Sequence, residues 1–241
     1  MVYTREDIRS AMDAGELDRA ARIARCYLHS HREDGRAWEL AGLIHFEEGR
    51  TPLAISALEK ASLLIPLGLE SRIRLAIAYG LIGKTDLATD LLALEISHEA
   101  ISPQQLLAVA QALGRFEQPV LAMHACRAAT QQDPEFARAY YDMGFYGSRC
   151  GVLPRHVESL IRKSIALDPR SARYRVGLAT HLMQHKRIDE ACAAIESLTL
   201  NQIDTITCQC CLARIATLYE RLNDSERLER CRSNLGETSP E

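Results

Sequence analysis

The chain has 241 residues, of which 47% are apolar and 25% charged, and its formal net charge is −3 at pH 7. This balance fits a folded domain or a repeat array and excludes a disordered chain. It lacks the basic excess of a dedicated nucleic-acid binder, so no nucleic-acid partner is expected. Aromatic residues are only 5%, whereas Ala, Leu and Arg, all strong helix formers, are abundant. The start, MVYTREDIRS, has no apolar core of the kind a secretory signal needs. Nowhere do the ~20 apolar residues that span a bilayer run together. A soluble, cytoplasmic chain with no membrane partner is expected, its eight cysteines being thiols rather than a disulfide frame.

An internal period organises the rest. Ala20, Ala54, Ala88 and Ala122 stand 34 residues apart at each step, Gly15, Gly49 and Gly83 keep that step, and Pro66 and Pro134 are two steps apart. One residue is inserted in the turn Cys150-Gly151-Val152-Leu153-Pro154, so that Pro169 follows Pro134 by 35 and Ala191 follows Ala122 by 69. The units fall near 1–34, 35–68, 69–102, 103–136, 137–171, 172–208 and 209–235, and the tail 236–241 is expected to be disordered.

In chain order, each unit reads as two helices. The first, with Arg5 and Arg9, is an end unit. In the second, Trp38, Ala41, Gly42 and His45 share one helix face. Gly49 ends that helix, and Thr51 as N-cap with Pro52 in the first turn opens the next. Ala54, Leu58 and Ala61 form its inner stripe, and Pro66 closes the unit. The third offers Leu75, Ala76, Tyr79, Gly83, Ala88 and Leu92. The fourth opens on a capping box, Ser102-Pro103-Gln104-Gln105. Pro119 and Pro154 start second helices as Pro52 does. The fifth carries Tyr140, Met143, Gly144 and Gly147, and the sixth Leu178, Ala179, Leu182, Ala191 and Ile195. The last, from about Gln209, is degenerate, as terminal repeats often are.

These residues resemble the tetratricopeptide repeat family, whose pattern is W-x2-L-G-x2-Y followed by Gly, Ala, a large residue, Ala and Pro. The resemblance covers nearly the whole chain and implies an all-α fold, a right-handed superhelical solenoid of about seven helix-turn-helix repeats. It also implies a non-catalytic protein-interaction scaffold or adaptor without a cofactor.

Positions 4, 7, 8 and 11 of each first helix share one face, and positions 2, 5, 9, 12 and 13 the opposite one. In the family that second face lines a concave, peptide-holding groove. Here it reads Glu39, Leu43, Phe46, Glu47, Ile73 and Ile77 in the N-terminal part, then Arg115, Arg138, Tyr141, Phe145, Arg149 and Arg173. Arg beside aromatics suits an acidic or aromatic segment, extended or helical, of another protein. Alternatively, these side chains pack on neighbouring first helices. Self-association is the second functional reading; a metal enzyme and an RNA binder come after it. Some family members hold a C-terminal carboxylate with a Lys/Asn clamp. At those positions this chain has Arg5, Arg9, Leu40, Glu70 and Arg74, and the acidic Glu70 opposes that use.

Two clusters invite a metal. Cys208-Gln209-Cys210-Cys211 lacks the second pair that zinc sites have. On a helix Cys208 and Cys211 share a face while Cys210 points elsewhere, so buried packing cysteines are expected. His181 and His185 lack the Glu of a metalloprotease motif and read as an exposed turn. Glu47-Glu48 and the charged run from Glu220 to Arg232 read as solvated faces. No metal site, phosphate loop, nucleophile elbow or dinucleotide fingerprint is expected.

Overall fold

A computed structural model describes residues 3–236. All regular structure among these residues is helical, in fifteen helices. Two compact units divide the chain, one up to Ala128 and one from Ala129 onward, and the division falls inside α8 (Pro119–Gln132).

The N-terminal unit contains the pairs α1 (Arg5–Asp13) and α2 (Leu17–Ser30), α3 (Gly35–Glu47) and α4 (Thr51–Leu64), α5 (Leu69–Leu81) and α6 (Thr85–Ile96), and then α7 (Pro103–Arg115). The C-terminal unit contains α9 (Ala137–Arg149) with α10 (Pro154–Leu167) and α11 (Ala172–Gln184) with α12 (Ile188–Ile195). A short α13 (Leu200–Asp204), α14 (Gln209–Arg221) and α15 (Ser225–Leu235) follow. The short α13 has no counterpart in the two-helix reading of the sixth unit; Thr199 and Gln202 form its capping box. Gly236 ends α15 in the left-handed conformation; the rest of the tail expected to be disordered, 237–241, lies outside the described residues.

The turns explain the period. A two-helix turn this short needs one residue at positive φ. Gly15, Gly49, Gly83 and Gly151 supply it at φ 72, 71, 87 and 75°. Glu117, Lys186 and Asn223 supply it without being glycine, at φ 60, 62 and 54°. Positions 15, 49, 83, 117 and 151 keep the 34-residue step, so the backbone repeats where the glycine does not.

The capping box at Ser102 and Gln105 forms: the Gln105 N–H donates to Ser102 Oγ at 3.3 Å and the Ser102 N–H to Gln105 Oε1 at 3.0 Å. Thr51 is not the N-cap expected of it. Gly49 returns the chain so tightly that Arg50 takes the cap position, and its carbonyl accepts from the Ala54 N–H at 3.0 Å.

The cores follow from small residues. In the N-terminal unit Ile8, Ala20, Ile23, Ala37, Ile44 and Ala57 share one buried cluster. A β-carbon on Gly42 would stand 2.5 Å from Leu58 Cγ, so α3 and α4 pack at a separation only glycine permits. In the C-terminal unit, Leu178, Leu182, Ile195, Leu212, Ile215 and Tyr219 anchor the buried cluster. The Tyr219 hydroxyl donates to the Ile195 carbonyl at 3.1 Å, which satisfies a phenol that burial would otherwise penalise.

Candidate functional site

In the N-terminal unit, the expected first-helix face is partly covered, because α3 packs beside α1 and α5, and α5 beside α7. Ile73 is buried, and Leu43, Phe46 and Ile77 are half-buried. Glu39 is 8% exposed and acts within the fold. Its Oε1 accepts the Gly68 N–H at 2.7 Å, and its Oε2 accepts from Arg36 at 2.7 Å. Burial alone would raise its pKa, but hydrogen bonds from Gly68, Arg36 and Ser71 hold it below the usual value. Glu47 and Arg115 are exposed. Arg74, which the spacing did not single out for this face, pairs with Glu47 at 2.9 Å and lies 4.9 Å over the Phe46 ring. Its signal was its place one residue beyond position 5 of the third unit, at the edge of the same face.

In the C-terminal unit the same face is more open. Asp142 on α9 is 4% exposed and lies between two guanidinium groups, Arg138 at 3.7 Å and Arg173 at 3.4 Å. Both arginines keep about half of their side-chain surface in solvent, 44% and 55%. The buried carboxylate thus fixes two cations while leaving them outward-facing donors. Arg173 also stands 5.2 Å above the Tyr141 ring, which packs on Tyr174 at 5.0 Å. Burial raises the Tyr141 pKa, and the Arg173 charge opposes that rise. Phe145, one turn on, is 51% exposed and meets Tyr146 edge-on. Arg149 is exposed at the end of α9. Of the twelve residues expected on the face, Arg138, Phe145, Arg149 and Arg173 are exposed on α9 and α11 of one unit, with Tyr141 half-buried beside Arg173.

The N-terminal unit has a second concavity. A cleft of about 840 Å³ runs among α2, α3 and α4. Ala21, Ala24, Leu28, Trp38, Ala41 and Leu53 give it an apolar lining, and Arg22, Arg25, Arg32, Arg50 and Lys60 a basic one. Glu48 also lines it and is not the solvated charge expected. Its side chain is 7% exposed; Oε2 meets His45 at 3.0 Å and Arg50 at 3.4 Å, and Oε1 has no hydrogen-bond partner. The readable signal was the 3-4 spacing of Arg22, Arg25 and His29, which puts three cationic or titratable residues on one face of α2, with Arg32 following just beyond its end.

Both candidate metal clusters depart from expectation. His181 is 6% exposed and packs against α10, its Nε2 at 3.1 Å from the Pro154 carbonyl oxygen. Burial, then the neighbouring His185, lowers its pKa. Of the three clustered cysteines, Cys210 is exposed and Cys211 half-buried against the core, but Cys208, expected to be a buried packing cysteine, is exposed. Hydrogen bonds from Cys210 and Cys211 bring Cys208 down to about 7, while burial pushes Cys211 up to about 12.

A family model described as tetratricopeptide repeat matches residues 8–64, which span the first two hairpins. That segment thus matches the tetratricopeptide repeat, and helical hairpins continue beyond the match. No curated protein matches it in sequence. Among solved structures it is similar to the C-terminal part of a TPR repeat-containing protein from Cytophaga hutchinsonii, with TM-score 0.67 and 11% identity over 95% of this chain and 92% of that one. It is similar to PilF of Pseudomonas aeruginosa, with TM-score 0.65 and 17% identity over 86% and 92% of the two chains. It is also similar to YrrB, described as a TPR protein with an unusual peptide-binding site, with TM-score 0.56 and 18% identity over 67% and 83%. At these identities the likeness is one of fold. No helix among the described residues is long and apolar enough to cross a membrane.

Proposed function

We propose that the chain is a non-catalytic protein-interaction scaffold that holds an acidic segment with aromatic or apolar anchors, supplied by another protein. The observation that carries this reading is the anchored pair Arg138 and Arg173 beside Tyr141, with Phe145 exposed next to them. Guanidinium groups already held by Asp142 lose little freedom when they bind a carboxylate. Phe145 offers an aromatic contact of the kind that dominates binding energy at interfaces. The peptide-binding site named for YrrB supports the same class of use.

The α2–α3–α4 cleft is a second surface for such a segment, because its lining combines apolar residues with Arg22, Arg25, Arg32 and Arg50. A pull-down from native lysate with the wild type, Phe145→Ala/Arg149→Glu and Arg22→Glu/Arg25→Glu separates the surfaces. All four positions are exposed, and circular dichroism checks that each variant is folded. A partner held by the wild type and lost only by the first variant supports the C-terminal surface. Loss only by the second moves the site to the cleft. Capture of nothing, together with a mass that grows with concentration, replaces the proposal with self-association.

A further inference from the structure

Three cysteines, Cys208, Cys210 and Cys211, converge at the start of α14. Their Sγ atoms all lie within 4.8 Å of one another, and Cys208 Sγ is 2.9 Å from Cys210 Sγ. Helical geometry alone would separate Cys210 from the other two, because successive side chains diverge by about 100°. Cys208, however, is not in the helix. It is the N-cap, with extended backbone at φ −82° and ψ 109°. Its side chain therefore does not follow the helical rotation and lies over the first turn. There it meets Cys210 and Cys211, the second and third residues of α14. The convergence needs one turn of chain and no long-range closure.

Three thiolates are a soft donor set, which selects soft ions. Three sulfurs each ~2.3 Å from one ion would stand roughly 4 Å apart. The 4.8 Å limit around these three is within a small side-chain rotation of that geometry. Among the described residues no His, Asp or Glu joins the group. Structural zinc takes four ligands, whereas monovalent copper is satisfied by three sulfurs. The exposure of Cys208 and Cys210 gives an entry path.

We propose that Cys208, Cys210 and Cys211 form a trigonal three-sulfur site for monovalent copper. Three metal–sulfur bonds form, three thiol protons are released to solvent, and the oxidation state of the metal does not change. The positive end of the α14 helix dipole offsets part of the negative charge of the complex.

The test uses the full chain, reduced and metal-free, titrated anaerobically with Cu(I) against the chromophoric chelator bicinchoninate, followed by X-ray absorption at the copper edge. One ion per chain with three sulfur neighbours is expected. Cys208→Ser and Cys210→Ser should each weaken binding by more than about tenfold, since even changes outside the ligand shell cost that much. Cys26→Ser, an exposed thiol on α2, should leave it unchanged. Circular dichroism checks that each variant is folded. Two-sulfur coordination, which any two exposed thiols can give, overturns the proposal. So does equal affinity in Cys208→Ser, or Zn(II) held at one per chain in preference to Cu(I).

Discussion

The Tyr141 ring occupies the space that a side chain at position 177 would need. A β-carbon on Gly177 would come within 2.4 Å of Tyr141 Cε2 and 2.5 Å of its hydroxyl oxygen. The bare backbone of α11 is therefore what lets Tyr141 sit against Arg173 and Tyr174. Gly177→Ala should push the ring off this seat and lower stability by about 1–3 kcal/mol, the usual range for overpacking. Urea unfolding measures the loss. If the proposed surface is correct, captured partner should fall in parallel although no charge has changed.

Glu39 gives a contrasting prediction. Glu39→Ala leaves the Gly68 N–H without its acceptor, and an orphaned buried donor costs about 1–3 kcal/mol. The variant should lose stability by that amount and retain any partner bound at the C-terminal surface. Unchanged stability would show that Gly68 finds water or another acceptor.

The left-handed turns test backbone strain in isolation. A β-carbon on Gly49 would touch nothing within 4 Å, so the cost of Gly49→Ala comes from its φ of 71° alone. That cost is about 1–2 kcal/mol. The converse change, Lys186→Gly at φ 62°, relieves the same strain but adds freedom to the unfolded chain. It should therefore move stability by less than Gly49→Ala, and in the stabilising direction. Melting temperatures of the two variants and the wild type decide the order.

His181 predicts a pH dependence. Its folded pKa lies below the ordinary value of 6.5, first because it is buried and then because His185 lies beside it. The unfolded chain thus binds the proton more readily, and stability rises with pH through this range. Glu158 and Arg187 also act on His181, the first raising and the second lowering its pKa. Acidification from about pH 7 to about pH 5.5 should lower the melting temperature. In His181→Gln that dependence should be smaller, because glutamine can still donate to the Pro154 carbonyl and has no proton to gain. An equal pH dependence in the variant would assign it to other groups.

What the sequence determined by itself is what short-range physics controls. The 34-residue period, the capping box at Ser102 and the Pro119 and Pro154 helix starts depend on a few neighbouring residues, and they were legible for that reason. The turn at Glu117 shows where that legibility ends: the backbone keeps the left-handed conformation although the glycine is gone.

Tertiary structure decided which side chains remain exposed. Glu39 and Ile73 occupy the expected helix face, yet flanking first helices bury them. His181 and Glu48 looked like surface residues, but α10 of the preceding hairpin and the cleft, respectively, take them inside. Cys208 shows the same limit at one residue's scale. The even rotation of a helix does not apply at its cap, and that one departure brings three thiols together. Periodicity assigns a residue to a face; the elements packed against that face determine whether it meets solvent, a core or a ligand.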